Sequence, residues 1–195
     1  MRKSEIERLT SETKIKISLN LDGKYNPENK ISTGIGFFDH MLNLFAKHGN
    51  FDMTIECDGD IYVDCHHTME DIGITLGKAF YEALGDKKGI RRYSHEYVPM
   101  DEALVRSAVD VSGRAYLVFA VNFTCERIGA METECVEEFF RSFCDNSKIT
   151  LHIHGLEGKN NHHICEAVFK SSARALGSAV EVISEDIPST KGVIE

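Results

Sequence analysis

The chain has 195 residues with 31 acidic against 22 basic side chains, a formal charge of −9 at pH 7 with histidine neutral. That balance disfavours a nucleic-acid partner, because phosphates repel an acidic surface unless a local basic stripe offsets it, and no such stripe is visible. No apolar run approaches the ~20 residues of a membrane helix, the opening Met1-Arg2-Lys3-Ser4-Glu5 has no apolar signal core, and the six cysteines (57, 65, 125, 135, 144 and 165) form no CxxC or ordered framework, which together predict a reduced, cytoplasmic protein with no membrane association.

A chain of this length buries roughly 70% of its extended surface, enough for a core without disulfides. Residues 5–21 alternate, most clearly at Ile15, Ile17, Leu19 and Leu21, which is the period of a half-buried strand with Glu12 and Thr13 at its start. Residues 22–33 are polar, contain Gly23 and Pro27, and are long for a connection, so they read as a disordered tip or a functional lid. Residues 35–48 take helical spacing through Met41, Leu42 and Phe45 before Gly49 closes the helix, which carries His40. Two short strands are expected at 52–57 and 60–64 around an Asp58-Gly59 hairpin turn. His66 then opens a helix to about Leu84, stopped by Gly85.

The second half begins after Lys87-Lys88-Gly89, with strands expected at 94–98, 104–111 and 115–123 and a turn at Ser112-Gly113-Arg114. Residues 134–146 read as a helix, 149–153 as a strand and 162–184 as a long helix, while the tail, Ile187-Pro188-Ser189-Thr190-Lys191-Gly192, has no element of its own. Strands precede helices in each half, which predicts an α+β fold with antiparallel pairing.

His66-His67-Thr68-Met69-Glu70-Asp71 is echoed, 96 residues later, by His162-His163-Ile164-Cys165-Glu166-Ala167. On a helix, Glu70 lies about 40° from His66 and about 60° from His67 on the other side, so the three project as one arc. One such pair explains itself as a solvated helix start. Recurrence favours metal, since imidazole and carboxylate suit first-row divalent ions and adjacent histidines suggest one ring for each of two ions. The surroundings repeat too: Phe38-Asp39-His40-Met41 stands 26 residues before His66, and Glu137-Glu138-Phe139-Phe140 stands 24 before His162, so that His40 and Glu138 are equivalent. The chain therefore reads as two half-repeats, 1–88 and 89–195, in one compact domain, offering His40, His66, His67 and Glu70 from one half and Glu138, His162, His163 and Glu166 from the other.

With the doubled HHxxE motif, Thr33-Gly34-Ile35-Gly36-Phe37-Phe38-Asp39-His40-Met41-Leu42 and Pro188-Ser189-Thr190-Lys191-Gly192 together, the sequence resembles the imidazoleglycerol-phosphate dehydratases of histidine biosynthesis over essentially its whole length. The resemblance implies helices sandwiched between two four-stranded sheets and a homo-oligomer of 24 subunits built from trimers. It also implies sites at subunit interfaces holding two manganese ions each, with other divalent first-row ions as alternatives. It makes the eight residues above the metal ligands, Glu138 being a departure from members with histidine there.

The reaction implied is the hydro-lyase conversion of D-erythro-imidazoleglycerol phosphate to imidazoleacetol phosphate. No carbonyl acidifies the carbon that loses its proton, so the ring has to supply the activation: if two metals hold it as an imidazolate, it can expel the adjacent hydroxyl and leave a diazafulvene beside which the C–H becomes acidic. By the same resemblance Glu12 is the acid/base, with Glu166 and Glu70 as rivals. His48, Arg92, Arg114, Lys170, Ser189, Thr190 and Lys191 are then the substrate and phosphate contacts, the arginines offering a planar fork and the lysines a point charge. Two other functions remain compatible with the residues alone: a two-metal hydrolase using a bridging water and a metal-storage shell.

Overall fold

The computed structural model describes residues 2–194; residues 1 and 195, the outer ends of the two expected halves, lie outside the described residues. The alternating run at the start is two strands, β1 (Lys3–Leu9) and β2 (Thr13–Asn20). Thr10 Oγ1 accepts the amides of Glu12 at 3.1 Å and Thr13 at 2.9 Å, and this side-chain turn reverses the chain without interrupting the alternation. The long polar stretch is not a disordered tip. Asn29 Nδ2 donates to Asp52 Oδ1 at 2.7 Å, the Tyr25 amide donates to Asn50 Oδ1 at 3.2 Å, and the stretch ends in β3 (Ile31–Ser32).

Helix α1 (Gly36–Gly49), β4 (Asp52–Gly59) and α2 (His66–Leu84) complete the first half. Asp58 and Gly59 are not a hairpin turn: they extend β4 and pair with Lys14 and Thr13. The strand expected at 60–64 is absent, although Ile61, Tyr62 and Val63 suit one. Beta propensity counts only where a neighbour is present to pack against, and these side chains are exposed at 43%, 89% and 57%. Instead the Val63 amide donates back to Asp60 O at 2.8 Å, which turns the chain towards α2.

The second half contains β5 (Tyr93–Met100), β6 (Ala103–Asp110), β7 (Tyr116–Ala120), the small hairpin β8 (Arg127–Ile128) and β9 (Met131–Glu132), then α3 (Cys135–Ser147), β10 (Thr150–Glu157) and α4 (Asn161–Ala179). Helix α4 stops short of Ser184 because the following residues pair with 89–91: Arg91 donates to Glu181 O and Ile183 to Gly89 O, both at 2.8 Å.

The two large sheets have the same order and the same senses, β1-β2-β4-β3 and β5-β6-β10-β7. Pairing is not wholly antiparallel, since β3 runs parallel to β4 and β7 parallel to β10. In each case a helix lies between the two strands, and such a crossover is what a parallel pair requires. The four helices fill the space between the sheets, α2 against β1 and β2, α4 against β5 and β6. Helices α1 and α4 run side by side in the same direction, touching at His40 and Glu166 near their starts and at Gly49 and Gly177 near their ends. Helices α2 and α3 do the same, with Gly73 against Phe139 O and Gly77 against Phe143 O. A Cβ on Gly177 would stand 2.5 Å from Gly49 O and one on Gly77 2.6 Å from Phe143 O, so the close approach requires glycine at both crossings. Around them Phe38, Phe45, Phe80, Phe139, Phe143 and Phe169 pack largely edge to face.

Candidate metal centre

Both His-His-x-x-Glu motifs occupy the first turn of a helix. Asp64 Oδ1 accepts the His66 amide at 2.8 Å and Asn160 Oδ1 the His162 amide at 3.0 Å, so each turn is held by a side chain two residues ahead of it. Within each turn the adjacent rings diverge, with interplanar angles of 88° and 83°. The first histidine of each pair turns to its own helix's glutamate: His66 Nε2 lies 3.8 Å from Glu70 Oε2, and His162 Nε2 lies 3.0 Å from Glu166 Oε1. The second turns to a carboxylate from another segment, His67 Nδ1 to Asp60 Oδ2 at 2.9 Å and His163 Nδ1 to Glu102 Oε2 at 2.7 Å. The single arc expected from backbone angles is thus divided, one ring on each side.

His40 joins the second motif. Its Nε2 lies 3.1 Å from Glu166 Oε1, the oxygen that also faces His162, and the ligand atoms of His40, His162 and Glu166 all fall within 4.8 Å of one another. Two imidazoles and a carboxylate are a fitting nitrogen and oxygen donor set for a first-row divalent ion. Phe37, part of the motif at 33–42 but not expected at the site, closes one side with its ring edge-on to His162 at 4.9 Å. Burial works to raise the Glu166 carboxyl, but Lys170, His40 and His162 outweigh it and hold the group at about 2. Glu166 is therefore ionised and engaged on both oxygens, since Lys170 Nζ sits on Oε2. Lys170, expected on the phosphate, is in this chain the counterion of a candidate ligand.

The first motif does not join that set: among the described residues, the group of three or more metal-competent side chains is His40, His162 and Glu166. Glu138 is paired with Arg141 at 3.6 Å on its own helix. The parallel packing of α2 and α3 sets it level with Ile72, beside the Gly73 to Phe139 contact and two residues, about 3 Å along the axis, past the level of Glu70. Glu12 closes the β1–β2 turn with its carboxylate 3.9 Å from His67 Nε2. Its position is set by neighbours rather than by its own bonds. Thr13 Oγ1 donates to the buried Asp71, which also pairs with Arg8 Nη2 at 2.7 Å, and Glu12 O accepts the Asp60 amide at 3.1 Å.

The residues expected on the phosphate lie elsewhere. Arg92 binds Asp110 Oδ1 through Nε at 2.8 Å and Pro188 O through Nη1 at 2.8 Å, so its guanidinium ties the tail to β6 and braces Ser189, Thr190 and Lys191. Arg114 follows on the exposed turn after β6. The Arg92 amide donates to Ala179 O at the last residue of α4, whereas His162, His163 and Glu166 stand on its first turns. At 1.5 Å per residue, His163 to Ala179 is about 24 Å. Glu12 and His67 are similarly remote, because β1 starts beside the end of α4, with Arg2 against Val180 O at 2.5 Å, and then runs about 23 Å towards the β1–β2 turn. Lys170 apart, one chain does not bring Arg92 and the tail it braces to either histidine motif.

His48 lies between these ends. It lines a cavity of about 580 Å³ with Lys24, Asn50, Glu96 and Arg174, and burial, then Lys170 and Arg174, push its imidazole below the ordinary value. Cys65 and Cys165 stand next to candidate ligands, but burial pushes both thiols up, Cys65 to about 11. Neither is poised as a thiolate ligand. Two four-stranded sheets around four helices also exclude a ferritin-like storage bundle.

The family model described as imidazoleglycerol-phosphate dehydratase matches residues 33–176. A protein of that name from Thermoanaerobacter pseudethanolicus is 57% identical over 196 residues, covering 100% of both chains. The crystal structure of the Staphylococcus aureus enzyme superposes with a TM-score of 0.82 at 42% identity, covering 91% of this chain and 97% of that one. That of Pyrococcus furiosus gives 0.83 at 37% identity, covering 96% and 99%.

Proposed function

The chain belongs to the imidazoleglycerol-phosphate dehydratase family, hydro-lyases of histidine biosynthesis, and we propose that it converts D-erythro-imidazoleglycerol phosphate to imidazoleacetol phosphate with two divalent ions, manganese first among them, in each active site. The observation that carries the reading is the convergence of His40, His162 and Glu166 on one point of a helix pair whose counterpart, α2 with α3, presents His66, Glu70 and Glu138. His67 and His163, turned outward from their helices, complete the donor set. Bound there, the ions supply Lewis acidity towards the substrate's ring nitrogens and a template that fixes the ring against its departing hydroxyl.

The remaining work falls to side chains of the protein. Glu12, half exposed beside His67 and free of hydrogen bonds from its carboxylate among the described residues, takes the proton from the glycerol carbon. Arg114 and Lys191 hold the phosphate, and Arg92 sets the tail that presents Ser189, Thr190 and Lys191 to it. Because Arg92 and the tail it holds stand about 24 Å along α4 from the second histidine motif within one chain, a working site draws on more than one copy. This supports a homo-oligomer with sites at its interfaces, and we take it to be the cytoplasmic assembly of 24 subunits built from trimers that the resemblance implies.

Incubation of the manganese-loaded protein with imidazoleglycerol phosphate tests the reaction: a ketone product without free phosphate is expected, and released phosphate with no ketone overturns it in favour of a two-metal hydrolase. Metal removal by chelation is expected to reduce particle size as well as turnover, since ligands contributed across an interface link binding to association. Sedimentation before and after manganese is restored measures this, and an unchanged large particle after verified metal loss contradicts the interface placement. Lys191→Ala is expected to raise KM for the phosphorylated substrate by about tenfold or more while leaving kcat within a few-fold, as loss of a charge-assisted contact of about 1.5–3 kcal/mol predicts. Glu138→Ala is expected to weaken one ion per chain and Glu138→His to retain it; metal counting that finds two tightly held ions in Glu138→Ala removes this residue from the ligand set.

A further inference from the structure

The two half-repeats carry a glutamate at the same place with different partners. Glu12 immediately precedes β2, and Glu102 immediately precedes β6. The strands that follow share their phase, since Ile17 on the buried face of β2 pairs with Ile55 of β4 and Ser107 on the buried face of β6 pairs with Ile153 of β10. Counting back five residues from each reaches Glu12 and Glu102.

Glu102 is fully engaged. Its Oε2 takes His163 Nδ1 at 2.7 Å, and its Oε1 takes the amides of Lys159 at 3.0 Å and Asn160 at 2.7 Å, the residues that lead into α4. In the first half the Nδ1 position of His67 is already filled at 2.9 Å by Asp60, from the turn after β4, whose backbone amide is fixed on Glu12 O. Glu12 is left facing the other ring nitrogen, Nε2, at 3.9 Å.

We propose that Glu102 and Asp60 are positioning residues for His163 and His67, each holding the proton on Nδ1 so that Nε2 presents its lone pair to a metal ion, and that Asp60, by taking this role in the first half, leaves Glu12 free for proton transfer. The proposal rests on the two-metal reading above. The chemistry is general: a ring whose Nδ1–H is bonded to a carboxylate has its tautomer and orientation set, which strengthens Nε2 as a donor, and loss of such a partner weakens metal binding by about 10–100-fold. Position alone does not decide the role of a repeated residue here. The same hairpin glutamate supports a ligand in one half and is available for chemistry in the other, because the further carboxylate of the first half, Asp60, takes His67 Nδ1, whereas that of the second, Asp101, stands 3.6 Å from His163 Nε2 and leaves Nδ1 to Glu102.

The test is a manganese titration of the chelated protein followed by electron paramagnetic resonance, with no turnover required. Glu102→Gln and Asp60→Asn are each expected to weaken one ion per chain by 10–100-fold, whereas Glu12→Gln, the identical change at the equivalent position, leaves both affinities within about threefold. Solid-state NMR of ¹⁵N-histidine in the metal-free protein reads the tautomer directly: the Nδ1–H signal of His163, assigned by its absence in His163→Gln, is expected to be lost in Glu102→Gln. If Glu102→Gln does not fold, Asp60→Asn with the corresponding signal of His67 decides, because Asp60 holds no helix-leading amides. Wild-type protein that binds no manganese overturns the two-metal reading and this proposal with it. Manganese binding by the wild type with unchanged affinity and tautomer in the variants overturns the proposal alone.

Discussion

Glu12→Gln is expected to lower kcat by about 10²–10⁴-fold while substrate affinity stays within a few-fold of wild type, the range a positioned general base contributes. The amide keeps the shape of the side chain but accepts no proton at the reacting carbon. The substitution isolates chemistry from folding unusually well, since the Glu12 carboxylate makes no hydrogen bond among the described residues and stands half exposed. The turn itself is held by Thr10, and the neighbouring Thr13 by Asp71. Stability should therefore change by no more than about 0.5 kcal/mol, as for surface positions without a structural role. Steady-state kinetics together with direct substrate binding and a melting curve measure all three quantities. Near wild-type kcat would move the proton-transfer role elsewhere, with Glu70 the better remaining candidate, because its carboxylate is 41% exposed whereas that of Glu166 is buried and held on both oxygens.

What could be read from the sequence was what depends on local period. The HHxxE motifs, His40 and the four long helices follow from spacing within a turn or two of helix, and the repeat exposes itself because both copies retain that spacing. The stretch at 60–64 failed for the reason that makes strands non-local: Ile61, Tyr62 and Val63 suit a sheet, but β4 is already flanked by β2 and β3, so no edge is left for them. The same error hid Asp60, whose carboxylate reaches His67 only because the chain turns there. Glu102 lies 61 residues from His163 and belongs to no motif. Aligning the halves beyond His40 and Glu138, back to the hairpins, would have exposed it as the counterpart of Glu12. Asp71 was in view as the residue after Glu70, yet its bonds to Arg8 and Thr13 span 63 and 58 residues and only the folded chain reveals them.

Glu166→Gln is expected to remove one ion per chain, or weaken it at least a hundredfold, and to abolish most turnover, because this one carboxylate serves two candidate ligands and a cation together. Oε1 faces His40 at 3.1 Å and His162 at 3.0 Å, and Oε2 carries Lys170. A neutral amide supplies a weaker oxygen donor and leaves the largely buried Lys170 ammonium without its counterion. Breaking a buried charged pair from one side is destabilising, here by about 2–3 kcal/mol in the metal-free protein, since the remaining charge loses its partner but keeps its desolvation. The two effects separate in the double variant Glu166→Gln, Lys170→Met. Removing the orphaned ammonium should restore much of the stability, because replacing both members of such a pair is far milder than removing one, while metal binding stays lost because the carboxylate is still missing. Melting of the chelated proteins and metal counting on the reloaded ones read the two quantities independently. Two tightly held ions in Glu166→Gln would show that His40 and His162 converge on this oxygen for structural reasons alone, whereas a double variant that regains stability without metal assigns Glu166 to the ion and Lys170 to Glu166.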